Sequence, residues 1–162
     1  MTSEPDLTWR DLRNPDVLVA SAFGVGMLKP APGTWASAFA LLVWWYVVPP
    51  LLWWEGLILA TGVALFGWWL CERICQRWGI GDAGALVIDE VAGMFYVLAL
   101  APAGLLWGLA AFVLFRALDI WKPGPIGWCD RQVKGGLGVM LDDCVAGLAG
   151  GGVLWITAIA LA

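Results

Sequence analysis

The sequence predicts an all-α integral membrane protein with about five membrane-spanning helices and a short N-terminal interfacial or re-entrant helix. Three observations carry that reading. Hydrophobic residues fill 61% of the 162 positions and mean hydropathy is +0.80, well outside the soluble globular range. The apolar residues fall into runs bounded by Pro and Gly, several of them near the ~20 residues that a crossing helix needs. Charge is scarce, at 14% of residues, and clusters between the runs, so the net charge of -4 describes no acidic surface and nothing resembles a basic nucleic-acid face. Positions 1–162 read as a single domain, with 1–16 a polar N-terminal segment on the cytoplasmic side.

Residues 1–15 are polar and mixed in charge, with no basic region leading into a short apolar core, so the first membrane segment is expected to act as its own insertion signal. Residues 17–28 are apolar but too short to cross, hence the interfacial or re-entrant helix. Pro30 and Pro32 then break the helix, and Thr34 is a candidate cap for the next one. Spans are expected at 34–48, ended by Pro49 and Pro50, and at 51–71. Trp44, Trp45, Trp53, Trp54, Trp68 and Trp69 lie near their ends, as an aromatic belt would. Residues 72–84 are polar and broken by glycine. Further spans follow at 85–101, 104–120 and 140–161, and the last carries Ala146, Gly147, Gly150 and Gly151 at small-xxx-small spacing. The stretch 115–143 between the final two spans gathers charge, proline and glycine, and reads as a polar hinge at a membrane surface.

Under this five-span arrangement every Lys and Arg falls on one side, which the positive-inside rule assigns to the cytoplasm. The same side receives Asp82, Asp89, Glu90, Asp119, Asp130, Asp142 and Asp143, leaving Glu55 opposite. Cys71 and Cys75 are four residues apart rather than in a C-x-x-C pair. With Cys129 and Cys144 they read as small buried apolar residues, and no disulfide is expected.

A carboxylate at mid-membrane costs about 2.5–3.5 kcal/mol, so the pairs Asp89-Glu90 and Asp142-Asp143 need compensation. The modest account has them sitting shallowly, pairing with Arg116, Lys122 and Arg131 to anchor helices. The sharper one is a divalent-metal site. Neighbouring side chains on a helix point about 100° apart, so two acidic pairs on two helices make one shared oxygen-rich pocket with ligands left over for water activation. With no histidine in the chain and its thiols badly spaced, Mg²⁺ or Mn²⁺ is favoured over zinc. Arg116 and Asp119, three residues apart, share a helix face, where the carboxylate would orient the guanidinium for bidentate oxygen recognition. Lys122 follows, either as a phosphate ligand or as a snorkelling lysine. The absence of histidine excludes phosphohistidine and Ser-His-Asp chemistry, leaving metal-assisted attack by water at phosphorus or a metal-bound transfer reaction.

The stretches FGVG with PAPGTWAS, GDAGALVIDEVAGM, FRALDIWKPGPIGWCDR and KGGLGVMLDDCVAG run from Phe23 to Gly147. In them the chain resembles the phosphatidylglycerophosphatase A family of small bacterial membrane phosphatases. The resemblance implies Mg²⁺-dependent hydrolysis of the terminal phosphate of phosphatidylglycerophosphate to phosphatidylglycerol, at the inner membrane, on a phospholipid that never leaves the bilayer. Asp89 and Glu90 match the family's acidic pair. Arg116, Asp119 and Lys122 match its R-x-x-D-x-x-K-P signature, Asp130, Arg131, Asp142 and Asp143 the elements after it, and Gly33 and Thr34 its P-G-T. Ala36 stands where the family pattern has a glycine, and Lys29 lies outside the pattern.

On this resemblance Asp89, Glu90, Asp142 and Asp143 would hold one or two Mg²⁺, with Glu90 or Asp143 taking the water's proton. Arg116, Lys122 and Arg131 would neutralise phosphate oxygens, and Gly33, Thr34, Asp119 and Asp130 would border the substrate. Two rivals make different demands. A CDP-alcohol phosphotransferase wants a D-x-x-D-G-x-x-A-R run that is absent. A small ion transporter wants acids at mid-membrane without phosphate-binding cations beside them.

Overall fold

The computed structural model describes residues 7–79 and 84–161; Asp82, grouped above with the cytoplasmic acids, lies outside them. The described residues form seven α-helices and no strand: α1 (Pro15–Ala20), α2 (Pro32–Tyr46), α3 (Trp53–Trp78), α4 (Ile88–Leu100), α5 (Leu105–Trp121), α6 (Pro125–Gln132) and α7 (Gly135–Leu161). Pro occupies the first turn of α1, α2 and α6, where its missing N–H costs nothing and its fixed φ suits the helix.

α4 is the axis of the bundle, packed by α2, α3, α5 and α7 with none of its residues exposed. Its closest neighbour is α7, and the small residues of α7 explain why. A Cβ at Gly147 would overlap the carbonyl oxygen of Gly93, and one at Gly93 would lie 2.8 Å from the Asp143 carbonyl oxygen. The two backbones therefore meet where neither has a side chain, as the small-xxx-small spacing predicts. Around this axis the outward faces of α2, α3, α5 and α7 carry exposed Leu42, Ile58, Phe66, Leu109, Val113 and Ile156, an apolar exterior suited to contact with lipid.

Helix directions alternate. The N-termini of α2, α4 and α7 and the C-terminal turns of α3 and α5 lie at one end, with the charged residues. The opposite end gathers Trp44, Trp45, Pro49, Pro50, Trp53, Pro102 and Trp155.

The structure departs from the sequence reading at four places. Among the described residues only α3 and α7, at 26 and 27 residues, are long and apolar enough to cross a membrane, so five spans do not follow from helix length. α2, α4 and α5 reach only 15, 13 and 17 residues. The run 17–28 is not one helix. Ala22, Phe23 and Gly24 adopt positive φ, which ends α1 and leads into a short 3-10 turn at Val25–Met27. That backbone holds Phe23 outward, 69% exposed. α3 continues through the polar residues after Cys71, which are good helix formers, until Gly79 takes the left-handed conformation. The hinge at 115–143 contains a helix of its own, α6, and α7 begins at Gly135 rather than 140.

Candidate active site

Where the helix ends converge they enclose a cavity of about 710 Å³. α2 contributes Gly33, α4 Asp89 and Glu90, α5 Arg116 and Asp119, α6 Asp130, and α7 Asp142 and Asp143, with Lys122 and Lys134 from the connections. Among the described residues six carboxylates thus face three cations, an excess of three formal negative charges in a half-open cavity. Buried like charges at this density are costly unless a cation joins them.

Each group is aimed by local structure. Asp89 and Glu90 sit in the first turn of α4, where the helix dipole favours carboxylates. Gly33 lets the start of α2 close on them: a Cβ there would overlap Glu90 Oε1 and stand 3.0 Å from Arg116 Nη1. Ser37 Oγ donates to the Gly33 carbonyl at 2.8 Å, holding that turn. Ala36, where the family pattern has glycine, is fully buried in a small cluster with Ala22 and Val87, behind the turn rather than in the cavity.

Arg116 and Asp119 form the i,i+3 ion pair that their spacing predicts, at 2.5 Å and largely buried. The pair is off-axis for a hydrogen bond. Arg116 Nε and Nη1 remain buried donors without a hydrogen-bond partner, as Asp89 Oδ1 and Glu90 Oε2 remain buried acceptors.

Lys122 ends α5 with φ 45°, a left-handed conformation rare outside glycine, ahead of Pro123, which would clash with a continuing helix. The turn brings its ammonium back to donate to Asp130 at 2.5 Å and Asp142 at 2.6 Å, tying α5 to α6 and α7. Burial works to lower the pKa of Lys122, but its hydrogen bonds to the two carboxylates outweigh that and hold it above the usual lysine range.

The four acids read as one metal-ligand set resolve into two overlapping trios. One ligand oxygen each from Asp89, Glu90 and Asp143 lie within 4.8 Å of one another, and so do those of Asp119, Asp142 and Asp143. Asp143 belongs to both, and Asp119, expected beside the substrate, enters the second trio. Asp142 and Asp143 are only 6% and 3% exposed. The donor set is all oxygen, and unpartnered carboxylate oxygens point into it, so the residues fit a hard divalent cation.

Two expected residues are not brought to the cavity wall. Thr34 follows Gly33 on α2 and donates its N–H to the Ala31 carbonyl at 3.0 Å. Arg131 is exposed, because α6 turns Asp130 toward Lys122 and the next side chain points about 100° away. Lys134, one of the charges gathered in the 115–143 stretch, lines the cavity as that grouping predicts. One residue was not given a site role from sequence. Glu72 Oε2, on α3, accepts from the Gly136 N–H at 2.9 Å and so pins the first turn of α7. Its place in a stretch read as a polar loop hid that contact, which depends on α3 running seven residues longer.

Comparison with known proteins agrees over nearly the whole chain. The family model described as Phosphatidylglycerophosphatase A matches residues 18–158. Phosphatidylglycerophosphatase A of Escherichia coli strain K12 is 40% identical over 146 residues, 89% of this chain and 84% of the relative. That of Haemophilus influenzae is 39% identical over 150 residues, 91% of each. A protein named putative phosphatidylinositol-3-phosphatase from Bacteroides thetaiotaomicron is 34% identical over 139 residues, 82% of this chain and 86% of the relative. No solved structure matches.

Proposed function

The chain belongs to the phosphatidylglycerophosphatase A family, and from that premise we propose how its residues perform the family's reaction. The activity is hydrolysis of the terminal phosphate monoester of phosphatidylglycerophosphate by a membrane protein. The observation that carries the residue assignment is the pair of carboxylate trios joined at Asp143 beside a buried guanidinium whose Nε has no partner.

Asp89, Glu90 and Asp143 would hold one Mg²⁺, and Asp119, Asp142 and Asp143 a second. Charge supports two. Against an excess of three carboxylates, one divalent ion leaves the cavity at -1, whereas two bring it to +1, a better host for a phosphate dianion. When bound, such ions lower the pKa of water and screen phosphate charge.

The protein's own groups do the rest. Arg116, held by Asp119 through Nη1, offers its unpartnered Nε to phosphate oxygens. Lys122 holds Asp130 and Asp142 in register and keeps its charge toward the cavity. Glu90, in the first trio and against Gly33, is our candidate to take the proton from the attacking water, with Asp143 the other. Gly33 and the start of α2 border the phosphate, and Asp130 and Lys134 line the mouth. Thr34 and Arg131 act from outside the cavity wall, on the headgroup.

We further propose a multi-pass arrangement in the bacterial inner membrane, with α2, α4 and α5 crossing alongside α3 and α7 and the cavity on the cytoplasmic side. Alternating directions and the collection of basic residues at the cavity end support it. At 1.5 Å per residue α4 spans only about 20 Å against a hydrocarbon core of about 30 Å, so the cavity would lie below the lipid headgroups, where a phosphate on a membrane lipid enters from the side.

The test is phosphate release from phosphatidylglycerophosphate by the purified protein in detergent. Chelation abolishes it and Mg²⁺ restores it, and Mg²⁺ alone raises the melting temperature of the wild type but not of Asp143→Asn. Metal-independent turnover would remove the assignment.

A further inference from the structure

Next to the acidic cavity lies a second one, of about 590 Å³, and the two share Pro32 and Gly84 as walls. Its character is different. Leu7, Trp9 and Met27 give it apolar sides, and its single charged lining residue among those described is Lys29. Lys29 is exposed and enters none of the ion pairs among the described residues, although the neighbouring cavity holds six carboxylates. The chain from Lys29 to Gly33 runs directly from this ammonium to the turn that closes on Glu90 and Arg116. Beside it the exposed Phe23 and Leu28 are suited to sit among lipid tails.

The substrate is also built in two parts. It carries a terminal phosphate monoester, which is cleaved, and a phosphodiester that joins the same glycerol to the acylated glycerol. Once the monoester occupies the acidic cavity, the diester must lie one glycerol away, in a space adjoining it. It carries a single negative charge in partly apolar surroundings, which calls for one flexible cation and apolar walls rather than a metal cluster.

Resting on the reading of the acidic cavity above, we propose that the Lys29 cavity is the subsite for the substrate's phosphodiester, and that Lys29 is a specificity-determining residue that selects a monoester attached through glycerol to a phosphatidyl group. The terminal phosphate is bound by one cavity and the lipid's own phosphate by the other, with Pro32 between them.

The test uses product inhibition of the full-length protein in detergent, because the two products divide the two phosphates. Phosphatidylglycerol retains only the diester, and inorganic phosphate only the former monoester. In Lys29→Gln the KM for phosphatidylglycerophosphate and the inhibition constant of phosphatidylglycerol each rise about tenfold, while that of inorganic phosphate stays put, and Lys29→Arg recovers most of the loss. An unchanged phosphatidylglycerol constant overturns the proposal. So does equal weakening of inorganic phosphate, which would put Lys29 in the first cavity. Wild-type protein that released no phosphate from the lipid would fail the underlying reading and this inference together. Wild-type turnover with an unaltered Lys29→Gln fails the inference alone.

Discussion

The two ends of the bundle hold cavities of similar size, about 710 and 600 Å³, and share almost nothing else. One is walled by six carboxylates, an arginine and two lysines. The other is walled by tryptophan, proline, leucine and alanine, with no ionisable residue among the described ones lining it. Both arise where helices of unequal length end around α4, so concavity here is a by-product of packing. What distinguishes a site is the unpaired polar chemistry inside it. At the acidic end Arg116, Asp89 and Glu90 keep buried atoms without partners. At the aromatic end the groups are satisfied by contact: Trp44 packs edge-on to Phe95 at 5.2 Å, and Trp45 fills the gap left by Gly108. One end keeps polar groups available to a ligand, the other packs its aromatic rings between helices.

Substitutions at the two ends sharpen that contrast. The largest effect is expected at Asp143→Asn, which removes the charge and one carboxylate oxygen of the residue common to both trios. Its kcat falls on the order of 10²–10³-fold with the helical content and detergent-gel-filtration profile of the wild type. Full activity in that variant would erase the distinction between the ends. Gly33→Ala comes next, because its methyl group displaces Glu90 and presses on Arg116 without touching charge. About a hundredfold loss of turnover is expected from misplacement alone. Glu72→Ala is milder. It removes the acceptor that pins the start of α7 and costs about 1 kcal/mol in thermal or denaturant unfolding, with a partial loss of activity through Asp142 and Asp143, two turns along. The smallest effect on chemistry belongs to Trp44→Ala at the far end. It lowers the melting temperature by several degrees, yet phosphate release per folded molecule stays within about twofold of wild type. If Trp44→Ala cost as much activity as Glu72→Ala, the aromatic end would be coupled to the site and the comparison would fail.

The sequence by itself determined the helical class, the apolar exterior and the residue types gathered at the acidic end. Hydropathy, proline punctuation and residue type are local properties that survive any arrangement of the chain. The Arg116–Asp119 pair and the close approach along Gly147 were legible because each depends on spacing within a single helix. Helix length was less legible, since hydropathy falls at Glu72 while helix propensity does not, and α3 runs on to Trp78.

The tertiary structure decided which acids lie within reach of one another, because that depends on how three helix ends converge. It moved Asp119 from the substrate's side into a trio with Asp142 and Asp143, turned Arg131 outward, and brought Lys134 to the cavity wall. It also set Lys29, outside every motif, across a proline from the acidic cavity. Residues far apart in sequence meet only through packing. Spacing along the chain can name the ligands of a site, but the distances between helices decide which of them act together.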